Sequence, residues 1–196
     1  MARTTVIVSL LMLTVAGSAR AQEHGPVGIV IAYPAAVGVV WHVSERVALR
    51  PDFSFSFNAS DSTNTGSAPF AISSTSSAHG KSVSVGLSAL FYVKKWDALR
   101  AYFSPRFGFI RATATTTTST TFPLGGPTDL RNLNSTYTGS GSVGAQYTLG
   151  RRFSVFGEVG VSYSDLESST GFTTTIVETS GWSVSSRAGV GVVVYF

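Results

Sequence analysis

The chain has 196 residues, of which only 12% are charged, and it contains no cysteine. A soluble domain usually carries about 25% charged residues, and here 29 Ser and 22 Thr replace the missing charges. The length suits one domain, and the lack of cysteine excludes disulfide scaffolds and thiolate metal sites. A surface built from this composition does not suit a conventional soluble protein, whose surface mixes charges of both signs.

The N-terminus has the three parts of a secretory signal peptide. Arg3 precedes the apolar run Val6–Val15, and Ala19-Arg20-Ala21 forms a small-x-small cleavage site. The apolar run is too short to span a bilayer. We therefore predict a signal peptide over residues 1–21 and a mature domain over residues 22–196. Its removal takes away two arginines and lowers the net charge from +4 to about +2, which gives little support to nucleic-acid binding.

The most apolar stretch of the mature chain is Val27–Trp41, which contains Pro34. It is shorter than the roughly 18 residues that a transmembrane helix needs. An exported chain of this kind is therefore either soluble or a closed β-barrel, the other structure that can span a membrane.

Apolar and polar side chains alternate along most of the chain, and this period of two is typical of β-strands. Residues 27–43 are predicted to form two further short strands, bent at Pro34-Ala35-Ala36. The six clearest predicted strands are Val47 to Ala59, Lys81 to Val93, Leu99 to Thr113, Tyr137 to Leu149, Phe153 to Ser164 and Trp182 to Phe196.

The connections between these strands alternate between short and long. Short turns are expected at residues 44–46, 94–97 and 150–152. Long loops rich in Ser, Thr, Gly and Asn are expected at residues 61–79, 114–134 and 165–181. This alternation is typical of an outer-membrane barrel, and the three long loops are candidates for binding a surface ligand.

The composition of the two strand faces favours a membrane barrel over a soluble one. The polar faces consist mainly of Ser, Gly and Thr, which suit a narrow lumen better than a water-facing surface. Aromatic residues gather near the short-turn ends, as in the interfacial girdle of such barrels. They are Trp41, Phe91, Trp96, Phe103, Tyr147, Phe153 and Phe196. We predict an all-β, antiparallel, up-and-down transmembrane β-barrel of eight strands.

The end of the chain carries a family resemblance. Phe196 is the last residue, and Val194, Val192 and Val190 precede it at alternate positions. This resembles the C-terminal signal of bacterial outer-membrane proteins that the barrel-assembly machinery reads. Residues 27–196 as a whole resemble the small eight-stranded barrels of the outer-membrane-protein-A and -X type. The resemblance implies a bacterial outer-membrane location, with membrane lipid and the assembly machinery as partners.

Six charged residues are expected to point into the lumen: Arg50, Asp52, Arg100, Arg106, Glu158 and Arg187. Isolated charges are costly in a narrow lumen, so they should be paired or hydrogen-bonded. We predict an ion-pair network that plugs the barrel, and Glu158 with Arg187 is the one pair that we name in it. These two residues lie opposite each other if the last hairpin turns near residues 172–173.

If the strands of the other hairpins pair symmetrically about their turn centres, Arg106 lies opposite Gly86 and Glu158 lies opposite Gly144. Each long side chain then gains room from a glycine.

The sequence is compatible with three functions. The first is a structural or surface-interacting outer-membrane barrel with a plugged lumen. The second is a narrow porin-like channel for ions or small solutes, and the third is a secreted soluble ligand-binding barrel. No catalytic site, metal site or cofactor is expected, because His24, His42 and His79 lack metal-ligand spacing. His42 and Ser44 are close in sequence, but nothing marks the orienting acid of a hydrolase.

Overall fold

A computed structural model describes residues 27–34, 36–65, 73–120, 128–171 and 176–196. The predicted signal peptide, residues 1–21, lies outside the described residues, as does the start of the predicted mature domain. The described part of the chain forms eight strands: β1 (Val27–Tyr33), β2 (Ala36–His42), β3 (Val47–Thr65), β4 (Ser73–Trp96), β5 (Leu99–Thr120), β6 (Thr128–Gly150), β7 (Phe153–Gly171) and β8 (Ile176–Tyr195).

The strands form a closed barrel in which each strand pairs with its neighbours in sequence. Every pair is antiparallel, and β8 closes the ring on β1. The predicted all-β, up-and-down barrel of eight strands is confirmed, as is the division of residues 27–43 into two short strands. Among the described residues, no helix is long and apolar enough to cross a membrane.

Tight turns connect the strands at one end of the barrel. The β4–β5 turn contains Asp97 with φ of 30°, a left-handed conformation that Asp adopts more readily than most residues. In the β2–β3 turn the Ser44 hydroxyl accepts hydrogen bonds from the backbone N–H groups of Arg46 and Val47, at 3.3 and 3.1 Å. Ser44 therefore stabilises a turn.

The three predicted long loops are mostly β-ribbon, and that prediction was wrong in extent. Paired strand covers residues 61–65, 73–79, 114–120, 128–134, 165–171 and 176–181. The β-branched Thr favours strands, but Ser and Thr on both faces remove the alternation that identifies a strand in sequence. Hydrogen bonds such as that from Thr117 to Asp129, at 2.8 Å, connect the polar ribbons.

The outward face carries a band of exposed apolar side chains. The band covers about eleven residues on each of the strands β3, β4 and β5, at residues 47–57, 83–93 and 99–109. With about 3.3 Å per residue and a tilt of about 40°, eleven residues rise about 25 Å along the barrel axis. At the edge away from the tight turns, the band meets charged residues. Phe57 pairs with Lys81, and Val83 pairs with Arg111.

The buried core lies inside the barrel, at the end with the tight turns. Buried apolar residues come from seven strands, all except β6: Val30, Val40, Ala48, Leu90, Tyr92, Tyr102, Phe156, Val193 and Tyr195. The inward face is therefore packed near the short turns, while inward residues beyond the core are mainly Ser and Thr.

Two glycines of β7 differ in how much space surrounds them, and the difference shows how closely the strands approach inside the barrel. A Cβ atom at the inward Gly160 would lie 2.6 Å from Ser142 Cα, whereas a Cβ atom at the outward Gly157 would meet nothing within 4 Å. We expect Gly160→Ala to lower the free energy of unfolding by about 1–3 kcal/mol through overpacking. Gly157→Ala is the matched control, and urea unfolding in detergent micelles measures both. Equal stability of the two variants would contradict the close approach.

Candidate functional site

Four buried side chains close the lumen near the tight turns, and we call them the floor layer: His42, Tyr92, Gln146 and Tyr195. Tyr92 donates a hydrogen bond to Gln146 Oε1 at 3.0 Å, and Gln146 Nε2 donates to the Tyr195 hydroxyl at 2.7 Å. His42 Nε2 and the same hydroxyl share a hydrogen bond at 3.2 Å, and the His42 ring stacks on Tyr92. Rings and amides from β2, β4, β6 and β8 thus join across the barrel.

The most buried ion pair lies next to the floor layer. Arg50 Nη2 is 2.5 Å from Glu158 Oε1, and these side chains are 7% and 1% exposed. Tyr102 donates a hydrogen bond to Glu158 Oε1 at 2.9 Å, and the Arg50 guanidinium lies 5.0 Å from the Phe156 ring centre. Glu158 is thus a shared acceptor for groups on two other strands, β3 and β5.

Arg187 approaches the same carboxylate from β8. Its Nη2 is 3.6 Å from Glu158 Oε2, and its Nη1 donates a hydrogen bond to Ser140 Oγ at 3.1 Å. The predicted pair therefore forms, but the predicted register was wrong. Glu158 lies opposite Gly189, and Arg187 lies opposite Gly160. The observed pairing is shifted by two residues from the predicted one, and an even shift keeps both side chains facing inward.

Asp52 and Arg106 form a third ion pair, which does not involve Glu158. Arg106 Nε donates to Asp52 Oδ2 at 3.1 Å, and Arg106 Nη2 bonds to the other carboxylate oxygen. Arg106 pairs in register with Ser88, so the predicted pairing with Gly86 was wrong. The guanidinium nevertheless lies over Gly86, where a Cβ atom would collide with it, because a long inward side chain reaches diagonally to the next position.

Gly144 pairs with Glu158, as predicted. The space over this glycine is nevertheless occupied by Tyr102, because a Cβ atom at Gly144 would lie 2.6 Å from Tyr102 Cζ. Sequence reasoning did not single out Tyr102 or the floor-layer tyrosines. The sequence did contain a signal for them: these tyrosines are among the few large residues on inward faces that otherwise carry mainly Ser and Gly.

Five of the six predicted lumen charges come together, and we call them the charge cluster: Arg50, Asp52, Arg106, Glu158 and Arg187. Arg100 instead lies beside the floor layer, with its guanidinium 5.7 Å from the Tyr92 ring centre. The cluster holds three guanidinium groups and two carboxylates. It therefore has one formal positive charge in excess.

A cavity of about 400 Å³ lies on the side of the charge cluster away from the floor layer. All five cluster residues line it, together with hydroxyls of β3 and β4 such as Ser54 and Ser84. The cavity also reaches Tyr33, Phe55 and Ala188, which belong to the outward face. Chemically, the arrangement offers guanidinium and hydroxyl donors to a polar or anionic group.

The remaining candidate residues lie elsewhere. His79 is exposed on β4, and His24 lies outside the described residues. Over the described ranges, no group of three or more His, Asp or Glu side chains is arranged to hold a metal ion. Of the predicted assembly signal, Val190, Val192 and Val194 occupy alternate outward positions on β8, and exposed Phe196 donates its N–H to the Val27 carbonyl at 3.1 Å.

Comparison with solved structures finds matches of low sequence identity. CarO2 of Acinetobacter baumannii has 11% identity and a TM-score of 0.43, covering 87% of this chain and 97% of that one. CarO of the same organism has 13% identity and a TM-score of 0.38, covering 88% and 98%. The ferric yersiniabactin uptake receptor FyuA of Yersinia pestis has 11% identity and a TM-score of 0.39, covering 80% and 24%. No known family and no curated protein matches the chain.

The position of Glu158 between Arg50, Arg187 and Tyr102 makes its replacement costly. We expect Glu158→Gln to lower the free energy of unfolding by about 3–5 kcal/mol, because it leaves buried arginine without a carboxylate. Asp165→Asn is the control, since Asp165 is exposed on the outward face of the same strand, and surface changes usually stay within about 0.5 kcal/mol. Urea unfolding in detergent micelles compares the two variants. Equal midpoints would contradict the assigned role of Glu158.

Proposed function

We propose that this chain is an integral bacterial outer-membrane β-barrel with a plugged lumen and a structural or surface-interacting role. The observation that carries the proposal is the outward apolar band, which is about as tall as the apolar band of an outer-membrane barrel, about 25 Å. Phe55 and Phe57 in this band are 63% and 75% exposed. A soluble barrel would not leave so large an apolar surface in water.

The short-turn end has the chemistry of a membrane interface. Five exposed basic residues of the turns can meet anionic lipid headgroups: Arg46, Lys94, Lys95, Arg151 and Arg152. The seven aromatic residues predicted as a girdle are all exposed, as interfacial rings would be. We also propose that the barrel-assembly machinery recognises the terminal residues Val190 to Phe196.

The packing of the lumen favours a plug over a channel. The floor layer and the Arg50–Glu158 pair are buried and connect opposite sides of the barrel through hydrogen bonds. An eight-stranded barrel has an interior just wide enough for side chains to fill. The role that we propose is therefore neither solute conduction nor catalysis.

The ribbons beyond the apolar band are the proposed surface for contacts outside the cell. Within residues 61–79, 114–134 and 165–181, the described strands carry Ser, Thr and Asn on both faces. Their paired backbone gives such a surface a defined shape, and their side chains offer hydrogen-bond donors and acceptors to a ligand.

The membrane location is tested by expressing the chain with its own N-terminal segment in a Gram-negative host. We expect the protein in the outer-membrane fraction, extractable only with detergent, because the apolar band needs a lipid-like solvent. Folded protein should migrate differently from boiled protein on a gel. Native protein in the periplasm or medium without detergent would instead support the secreted soluble barrel.

The plug is tested by recording currents across planar bilayers. We expect no steady conductance from the native chain and a measurable conductance from Tyr92→Ala, which removes a ring from the floor layer. Phe91→Ala is the matched control, because Phe91 is the exposed outward neighbour of Tyr92. Steady unitary conductance of the native protein would favour the porin-like channel.

A further inference from the structure

The barrel wall is interrupted above its shortest hairpin. Strands β1 and β2 have seven residues each, while their neighbours β8 and β3 have 20 and 19. Pairing with β1 ends at Tyr33–Val190, and pairing with β2 ends at Val37–Phe53. Beyond these pairs, residues 176–189 and 54–65 have no partner strand on this side within the described ranges. We call the resulting gap the lateral opening.

The lateral opening lies within the height of the apolar band. On β8 the outward positions Val184 and Trp182 lie above the last pair with β1, and on β3 Phe55 and Phe57 lie above the last pair with β2. At the hairpin, β8 and β3 are separated by three strand spacings, or about 14 Å. In a membrane, the opening would therefore face the hydrocarbon of the outer leaflet.

Burial of inward residues identifies the same opening. Ser183 and Ser185 point inward from β8, but both are exposed. Their register partners Ser164 and Ser162 on β7 also point inward, yet they are half-buried. The lumen at this height is therefore uncovered on the side of β8 and covered on the side of β7.

The charge cluster and the lateral opening belong to one cavity. The cavity is lined by Arg106 and Arg187 on the inside and by Tyr33, Phe55 and Ala188 at the opening. Its volume of about 400 Å³ is at the lower end of the range for small-molecule sites. This volume favours a ligand with one alkyl chain over a lipid with several.

Arg187 is the cationic group best placed to bind a ligand in this cavity. It is 23% exposed, its ion pair with Glu158 is long at 3.6 Å, and its hydrogen bond of 3.1 Å goes to the neutral hydroxyl of Ser140. A guanidinium carries five N–H donors, so donors remain for an anion. Inward positions of the described ribbons beyond the cluster carry no charged side chain, so no carboxylate there competes for Arg187.

We infer that this cavity binds a single-chain anionic amphiphile, such as a long-chain carboxylate. The carboxylate binds Arg187, and the alkyl chain leaves the barrel through the lateral opening into the membrane. This inference rests on the proposed membrane location. It assigns a ligand class to the lumen. In the proposed function alone, the lumen side chains only form a plug.

Binding is measured by equilibrium dialysis of radiolabelled laurate against the mature chain in non-ionic detergent micelles, with protein-free micelles subtracted. We expect saturable binding of one laurate per chain. Arg187→Gln should weaken it about tenfold, the effect of removing a hydrogen bond to a charged group. Dodecyltrimethylammonium, which has the same chain length and the opposite charge, should not compete.

A second pair of variants tests the path of the chain. Gly189 lines the cavity, and a Cβ atom there would make only an ordinary contact with the Tyr33 carbonyl oxygen at 3.5 Å. Gly189→Leu should fill the cavity and abolish laurate binding, while Gly157→Leu on the outward face should leave it unchanged. Heat-modifiable migration verifies that both variants fold. Native-like binding by Gly189→Leu or Arg187→Gln, non-saturable uptake, or equal competition by a two-chain phosphatidic acid would overturn the inference.

The lateral opening itself is tested in lipid vesicles with nitroxide labels on Ser185→Cys and Ser162→Cys. We expect the label at residue 185 to collide more often with lipid-soluble oxygen than the label at residue 162. Equal oxygen accessibility would overturn the lateral path. Cell fractionation distinguishes failure of this inference from failure of the proposed function. If the protein is found in the outer membrane but fails these tests, the proposed ligand is wrong and the proposed membrane location stands.

Discussion

The interior of this barrel depends on one buried carboxylate. Glu158 accepts contacts from Arg50 on β3, Tyr102 on β5 and Arg187 on β8, so a single side chain of β7 connects strands around the ring. A carboxylate in such a place is costly unless donors surround it. Each donor reaches it only if its strand has the observed register, and a one-residue slip would turn that side chain to the outward face. The electrostatic requirement of Glu158 therefore favours one register for several strand pairs at once.

Glycine makes room for the large side chains that this arrangement needs. The ring of Tyr102 lies over Gly144, and that of Phe156 lies over Gly191, where a Cβ atom would be 2.5 Å from Phe156 Cζ. A narrow barrel can accommodate rings and guanidinium groups only where the neighbouring strand lacks a side chain. The alternation of large residues with Gly and Ser on the inward faces thus reflects packing as much as polarity.

The sequence predicted which face each residue occupies better than it predicted registers and strand ends. Alternation identifies a face directly, so the outward position of Val190 and the inward position of Glu158 follow from period two. The pairing of Glu158 with Gly189 depends on the length of a turn, and its two-residue shift leaves the pattern of faces unchanged. The extent of the ribbons beyond the apolar band was not predicted, because Ser and Thr occupy both faces there and the sequence leaves ribbon and loop equally open. Gln146 and Tyr195 lie on strands that are not neighbours in the barrel, so strand pairing alone does not predict their hydrogen bond.

In the proposed membrane location, the interrupted wall places a requirement on the backbone at the depth of the hydrocarbon. Residues 184–189 of β8 lie within the apolar band without a partner strand on one side among the described residues. An unsatisfied N–H or C=O group facing hydrocarbon costs several kcal/mol. Hydroxyls of Ser54, Ser56 and Ser185 face inward beside the opening, and a lumen lined in this way can admit water to those groups. The richness in Ser and the short β1–β2 hairpin are therefore linked, because a gap in the wall requires a wet lumen behind it.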